Sequence, residues 1–575
     1  MSLLQRVLPL ARQLDGYSQN QLNGDLSAGL TVGVMLIPQG MAYALIAGLP
    51  PIYGLYASLV PLVVYALFGT SRQLAVGPVA MVSLLVAAAV GPLAGGDTQA
   101  YIGLALLLSL MVGALQFVLG AARFGFLVNF LSHPVLAGFT SAAAFIIGLS
   151  QLKHLLGISI ERSHYVHEIL WTAVQKAGDV HGLTLALGLG SILLLVGLRT
   201  WKASFPGALA AVAATTVAVW AFDLADAGVA IVGQVPSGLP APTLPPLNMG
   251  AVESLVPSAL AIGLVGFMES IAVAKVYASR HRYEVDANQE LIGLGLANVA
   301  GAFFSAYPTT GGLSRTAVND QSGARTNLAA LFSAGVIALT LVFLTPLFYY
   351  LPKAVLAAIV MVAVFGLIEW EEAVYLWRVD RSDLALMGVT FVATLGLGIE
   401  QGILTGVIVS LGAVIYQTSK PHTAIMGRLP ETSTYRNLRR NPEALTQSHV
   451  VVARMDADLY FANASAFKDL ILELELNDPV LQTIVVDMYP VNQIDSTGAE
   501  ALRDVIESCQ RNDITLLLAG VKGPVRDVLD DAGISDLLGT EHFFLEVHGA
   551  VQYAEDLADY DEPSAVAAEH QAPTS

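Results

Sequence analysis

Arg315 stands where a guanidinium is costly. It lies in Ser305–Asp320, SAYPTTGGLSRTAVND, between the apolar runs 286–304 and 327–345. The same stretch carries Pro308, Gly311, Gly312 and a run of hydroxyls, a composition that belongs at membrane depth only where it lines a cavity. Read as a broken span, it becomes an extended piece over 307–310 and then a half-helix that starts near Gly311–Ser314. The first N–H groups of such a half-helix lack backbone partners and carry the positive end of its dipole, so they attract an anion. A second charge, Glu269, falls some fifteen residues into the apolar run 255–280. A lone intramembrane carboxylate calls for a partner, and Arg315 is the one on offer. Lys275 is close enough to the end of that run to snorkel. Gln39 and Tyr43, four apart in the first apolar run, share a helix face. They either hydrogen-bond a neighbouring helix or donate to a bound substrate.

Breakers recur once more, in Gln73–Ala80, QLAVGPVA, where Gly77 and Pro78 follow the extended-looking Leu74–Val76. Apolar segments fall near 26–48, 51–68, 77–94, 101–120, 124–150, 183–199, 206–222, 255–278, 286–304, 311–322, 327–345, 353–368, 384–399 and 402–418. They amount to about fourteen spans, several shorter than the roughly 20 residues a straight span needs. The two breaker-rich stretches are third of the first seven and third of the last seven. That is the placement of two half-helices meeting at the midplane of an inverted repeat.

Composition sets the frame for these elements. The chain has 575 residues, 55% of them hydrophobic and only 13% charged, about half the usual charged fraction. Its net charge of −18 is uneven: residues 1–420 hold 18 basic and 20 acidic side chains, residues 421–575 hold 10 and 26. The even-numbered loops carry Arg72, Arg123, Arg199 with Lys202, Arg280 with Arg282, Arg325, and Arg378 with Arg381, whereas 223–253 has no Lys or Arg. By the positive-inside rule both termini are expected in the cytoplasm, with Lys153, Arg162 and Lys176 as exceptions. Residues 1–24 have no cleavable-signal pattern and are expected to form a cytoplasmic segment before a transmembrane region over 25–420. The single cysteine, Cys509, excludes an intrachain disulfide and a thiolate metal cluster. The acidic balance and the lack of a basic tract argue against nucleic-acid binding.

After Lys420 the pattern changes to strand-like runs at 449–454, 483–488 and 514–519, which alternate with helical patterns near 463–476, 497–511 and 523–532. This is the signature of a small soluble α/β domain. It is expected over 447–555, after a linker at 421–446 and before an acidic disordered tail at 556–575. It contains no nucleophile–base pair, phosphate loop or metal-ligand spacing, so an enzyme is not expected, nor any cofactor or metal.

The stretch PIYGLYASLVPLVVYALFGTSR (Pro51–Arg72) resembles the signature of the sulfate permease, or solute carrier 26, anion transporters. VDANQELIGLGLANVAGAFF and the stretch ending in SRTAVN support the resemblance, and VVDMYPVNQIDSTGAEAL (Val485–Leu502) is similar to the core of the STAS domain that follows the membrane part in that family. The resemblance implies a polytopic α-helical membrane protein with seven-plus-seven inverted repeats. Spans 1–4 and 8–11 would form a core that moves, elevator-like, against a gate of spans 5–7 and 12–14. It implies a substrate site at Gln39, Tyr43, the backbone of Val76, Gly77, Pro78 and Val79, and the half-helix of Gly312, Leu313, Ser314 and Arg315. It also implies a homodimer in the cell's inner membrane and a glutamate at Glu269 that couples transport to protons rather than sodium. In soluble relatives of the STAS domain the position of Thr497 is phosphorylated; here Ser496 or Thr497 is read instead as a cap for the following helix, with a cytosolic regulatory partner left open. The expected function is proton-coupled sulfate symport. The alternatives are bicarbonate or C4-dicarboxylate transport, or an uncoupled exchanger or channel. A nucleobase transporter of the same fold would lack an arginine directed at a dianion.

Overall fold

The structure, a computed structural model, describes residues 8–126, 132–160, 166–201, 207–477 and 480–561. The chain divides into two compact units, Met1–Ser410 and Leu411–Ser575.

Among the described residues, every expected apolar segment contains a helix. Spans 1 to 7 are Gln19–Ile46, Pro51–Phe68, the short strand β1 (Val76–Gly77) with helix Ala80–Val90, Thr98–Ala121, His133–Leu156, Gly182–Trp201 and Gly207–Ala221. Spans 8 to 14 are Met249–Arg280, Ala287–Ala302, β2 (Thr310–Gly311) with helix Leu313–Gln321, Leu328–Phe348, Lys353–Phe365, Arg381–Leu397 and Ile399–Ser419. Span 1 begins at Gln19, earlier than the boundary at 25, because Ser18 and Gln21 close a reciprocal capping box there. An additional helix, Trp370–Val379, lies between spans 12 and 13 and exposes Trp370 and Trp377.

Packing repeats with a period of seven spans. Span 1 packs on span 11 as span 8 packs on span 4, and span 6 packs on span 12 as span 13 packs on span 5. Spans 3 and 10 meet each other through β1 and β2, which pair antiparallel with Val76 opposite Gly311 and Gly77 opposite Thr310. This is an inverted repeat, and its axis passes between the two half-helices. Within each set the backbones come close. A Cβ on Gly295 would lie 2.5 Å from the Phe117 nitrogen, joining spans 9 and 4, and one on Gly138 would lie 2.3 Å from the Met387 carbonyl, joining spans 5 and 13. Among the described glycines of the spans, no approach under 3.0 Å joins spans 1–4 and 8–11 to spans 5–7 and 12–14.

Two buried carboxylates tie helix starts to distant loops. Glu290 of span 9 accepts from the Tyr65 hydroxyl at 2.7 Å, from the Thr70 N–H and hydroxyl at 2.6 Å each, and from the Ser71 N–H at 3.0 Å. Asp25 of span 1 accepts from the Tyr17 hydroxyl and from the N–H groups of Arg325 and Thr326. Each acid is thereby joined by several donors to chain far from its own helix. Asn288, at the start of span 9, accepts from the Gly125 N–H at 2.9 Å.

The second unit is a six-stranded sheet in the order β4-β3-β5-β6-β7-β8. Here β3 is Thr423–Arg428, β4 Tyr435–Asn437, β5 Val450–Met455, β6 Thr483–Asp487, β7 Thr515–Ala519 and β8 Phe543–Phe544. Strands β5 to β8 run parallel, and β3 joins antiparallel to β4 and β5. The three strands and three helices read from periodicity all appear within a residue or two of their expected limits. Two boundaries are corrected. The stretch 421–446 is not a free linker, because it supplies β3 and β4, which pair with each other, and β3 pairs in turn with β5. The acidic tail begins later than 556, because helix Val547–Asp561 packs Ala550, Val551 and Ala554 against the sheet; residues 562–575 lie outside the described residues.

Candidate functional site

The site forms where spans 3 and 10 break. After β1, Val79 leads into the half-helix Ala80–Val90; after β2, Gly312 leads into Leu313–Gln321. Neither start has a side-chain cap. Antiparallel pairing of β1 with β2 therefore brings two positive helix ends together without side chains to neutralise them.

A polar scaffold holds the extended pieces. Asn298 of span 9 pairs its amide with both backbone groups of Thr309, donating to the carbonyl at 3.1 Å and accepting from the N–H at 2.8 Å. It also donates to Gln116 of span 4 at 3.0 Å. Ser270, next to Glu269, accepts from the Gly311 N–H at 2.8 Å and is hydrogen-bonded to the Thr310 hydroxyl at 2.6 Å. Thr316 accepts from the Ala75 N–H, and the Asn319 amide donates to the Gln73 carbonyl. Sequence reasoning missed these supports. The available signal was a set of lone amides and hydroxyls in apolar spans, which have few roles besides bridging helices.

A cavity of about 490 Å³ opens at this junction and is lined by Gln39, Tyr43, Val79, Glu269, Gly312, Leu313, Ser314 and Arg315. Eight of the expected substrate and coupling residues thus share one space. Val76, Gly77 and Pro78 do not line it. Val76 and Gly77 are used in strand pairing, and Pro78 acts from behind by accepting a hydrogen bond from Arg315 Nη1. The opposite wall, from spans 6, 7 and 12, was not anticipated and is apolar: Leu195, Gly207, Ala208, Ile359 and Val362.

Arg315 is only 1% exposed. Its Nε and Nη2, the Oε1 of Gln39 and the Oε2 of Glu269 are buried without a hydrogen-bond partner among the described residues. Buried polar atoms are rarely left unsatisfied, so four on three side chains around one cavity mark a place where something polar binds. The two guanidinium nitrogens are donors that suit an oxyanion. Gln39 presents an NH₂ instead of its oxygen by a simple amide flip. Glu269 becomes a donor when protonated.

The expected Glu269–Arg315 ion pair is not formed: among the described residues no ion pair within 4.0 Å joins them. The cause is local. Arg315 folds back over its own half-helix to reach Pro78, a path that exists because Gly312 lacks a side chain; a Cβ there would lie 2.8 Å from Nη2. Gly312→Ala is therefore expected to move the guanidinium rather than unfold the helix. Half-saturating anion concentration should rise about tenfold, the scale of one misplaced charge-assisted hydrogen bond, with thermal stability in detergent unchanged. A wild-type affinity in this variant would show that the folded-back position is not used.

Thr497 is exposed at the start of helix Ser496–Arg511. The helix cap is Asp495, whose Oδ1 accepts from the Gly498 N–H at 2.7 Å while Oδ2 accepts from the Phe461 N–H at 3.0 Å. This corrects the expectation that Ser496 or Thr497 caps the helix. An ionised carboxylate is the stronger acceptor, and it sits in the capping position.

Comparison with known proteins agrees with this architecture. Residues 22–390 match the sulfate permease family, and residues 441–550 match the STAS domain. The chain is 43% identical over 547 residues to sulfate transporter 4.1, chloroplastic, of Arabidopsis thaliana, which covers 92% of this chain and 79% of that protein. It is 37% identical over 543 residues to a probable sulfate transporter of Mycobacterium tuberculosis, which covers 94% and 96% of the two chains. The structure of the murine solute carrier 26 family member A9 anion transporter in the inward-facing state superposes with a TM-score of 0.88 at 27% identity, covering 96% of this chain and 94% of that one. The two broken spans, the shared cavity and these matches over nearly the whole length lead to one assignment: the chain belongs to the sulfate permease family of multi-pass membrane transporters and carries a C-terminal STAS domain.

Proposed function

We propose that this protein carries sulfate across its membrane together with a proton, by movement of spans 1–4 and 8–11 against spans 5–7 and 12–14. The observation that carries the reading is the convergence of unpartnered Arg315, Gln39 and Glu269 atoms on a cavity bounded by two uncapped helix starts. The guanidinium and the helix ends favour negative charge, and Glu269 sets how much of it the site accepts. When ionised, Glu269 opposes a dianion in a poorly screened space; when protonated, it removes that repulsion and donates a hydrogen bond. Relatives named as sulfate transporters favour sulfate as the dianion.

The rigid-body movement has its own support. All polar lining groups belong to spans 1, 8 and 10, while the facing wall is apolar. Among the described glycines of the spans, no approach under 3.0 Å joins the two sets. The anion can therefore travel with one block past a surface that holds it by no specific contact. The cavity reaches Leu195, Gly207, Gly366 and Leu367, toward the span ends that carry Arg199 with Lys202 and Arg378 with Arg381 in the sequence. By the positive-inside rule this is the cytoplasmic side of a cell membrane, with both termini on that side.

Uptake of labelled sulfate, fumarate and bicarbonate into proteoliposomes, with and without an inward proton gradient, tests the reading. Sulfate accumulation that requires the gradient is expected. Gradient-independent sulfate entry would remove the coupling, and accumulation of bicarbonate or fumarate without sulfate would replace the substrate.

A further inference from the structure

Two helices of the first unit lie between spans instead of in them. Val166–Gln175 stands between spans 5 and 6, and Trp370–Val379 between spans 12 and 13. Spans 5 and 12 are partners in the repeat, as are spans 6 and 13. The two short helices are therefore a pair as well, and inversion of the repeat puts them at opposite faces of the membrane. Both are fixed to span 5. Leu376 packs with Ala137 of span 5 and Met387 of span 13. The Glu369 N–H, just before the second helix, donates to the Ser141 hydroxyl at 3.0 Å, and the His133 ring lies 3.2 Å from the Glu372 carboxylate. Val166–Gln175 packs against span 5 and buries Ile169.

Their outer faces are apolar. Trp370, Val374 and Trp377 are exposed at the i, i+4, i+7 spacing of a single stripe. Leu170, Trp171 and Val174 are exposed within about one turn of Val166–Gln175. A surface helix of a soluble protein turns its apolar stripe inward. Here each helix buries one side chain, Ile169 or Leu376, and its stripe points out. The spans that support the helices are apolar outside too: Phe145 of span 5 is exposed and stacks edge-on with Phe391 of span 13.

The five tryptophans of the chain point the same way. Trp171, Trp370 and Trp377 are on these helices, Trp201 ends span 6, and Trp220 is exposed near the end of span 7. Spans 1–4 and 8–11 hold none. Tryptophan collects at headgroup level on both sides of a bilayer. The side chains best suited to fix depth in the membrane thus all belong to spans 5–7 and 12–14 and the helices between them.

We propose that Val166–Gln175 and Trp370–Val379 dock on the lipid headgroup layers, one helix per leaflet, and so hold spans 5–7 and 12–14 at a fixed depth. Each stripe enters the boundary between headgroups and acyl chains by about 5–10 Å. Lipid is the occupant because the stripes adjoin spans whose outer surface is itself apolar and exposed, with Phe365 at the end of span 12 leading into Trp370. The fixed-depth role rests on the rigid-body movement proposed above. The docking does not.

Lipid contact is read without transport. Val174→Cys and Val374→Cys, each in the full-length protein, carry bimane in phosphatidylcholine vesicles, with Leu193→Cys in span 6 for comparison. Native Cys509 is buried, its thiol pushed up by that burial and by the Glu475 carboxylate, and so unreactive. A nitroxide on the headgroup should quench both helix positions more than a nitroxide at the acyl-chain end. The order should reverse at exposed, mid-span position 193. Ascorbate reduces only outer-leaflet nitroxides. In vesicles of known orientation it should restore emission at one helix position and leave the other quenched. Helix positions that neither lipid quenches lie in water or under another protein copy and overturn the docking, as does restoration at both positions or at neither. For the fixed-depth role, Trp370→Ser with Trp377→Ser should lower the maximal rate of sulfate uptake severalfold. The half-saturating concentration should not change, because neither residue lines the substrate cavity. Trp370→Tyr with Trp377→Tyr should restore the rate, since tyrosine also favours the interface. An unchanged rate in the serine variant overturns the fixed-depth role. If wild type carries no sulfate while headgroup quenching persists, the transport reading fails and the docking stands.

Discussion

Arg315→Ala is expected to raise the sulfate concentration for half-maximal uptake by about 100-fold or more, the loss of two charge-assisted hydrogen bonds at roughly 1.5 kcal/mol each. The side chain is buried and its Nε and Nη2 are free to donate to an oxyanion, so the loss falls on binding and not on a surface contact. A monoanion should suffer less, because it depends less on the guanidinium and more on the two uncapped helix ends. Arg315→Lys should recover part of the affinity: it restores the charge but not the planar fork. The same variant also loses the hydrogen bond to the Pro78 carbonyl that ties the two half-helices together. Thermal unfolding in detergent therefore belongs beside the uptake assay. If dianion and monoanion lose affinity equally and the melting temperature falls, Arg315 is a strut between spans 3 and 10 and not a ligand.

Glu269→Gln is expected to abolish sulfate accumulation driven by a proton gradient while sulfate–sulfate exchange persists. Glutamine keeps the size and the hydrogen-bonding capacity of a protonated glutamate but cannot release a proton. The exchange rate in this variant should be independent of pH across the range in which the wild-type rate rises as pH falls. The sign follows from charge. Protonation of Glu269 removes a negative charge that faces the same cavity as the substrate, so acid favours dianion entry. Proton-driven accumulation that survives the substitution would move the coupling site elsewhere. The two variants report on different steps. Arg315→Ala should reduce affinity whether or not a gradient is present, whereas Glu269→Gln should remove only the response to the gradient.

Much of this could be read without coordinates. Breakers and a charge in a place that should be apolar marked span 10. The parallel stretch Gln73–Ala80 marked span 3, and β1 and β2 pair residue for residue in the two marked stretches. The strands and helices of the C-terminal domain followed from periodicity alone, because alternation and helical repeats are properties of neighbouring residues. The misplaced linker had a different cause. Strand β3 is held by partners at 435–437 and 450–455, and β4 by its pairing with β3; pairing between separate segments leaves little trace in local sequence.

What the sequence determined by itself was the list of participants: an arginine, a glutamate, a glutamine and a tyrosine in spans that have no reason to hold them, and two interrupted helices to aim at them. Their types and spacing are local facts, fixed by the cost of polarity in hydrocarbon. The tertiary structure decided how they relate. It directed Arg315 to a carbonyl just before the other half-helix through the gap at Gly312 and left Glu269 without an ion pair among the described residues. It put Val76, Gly77 and Pro78 behind the site and set an apolar wall from distant spans in front of it. Distances between residues far apart in the chain depend on how helices pack, and one missing side chain is enough to choose between two partners for a charge.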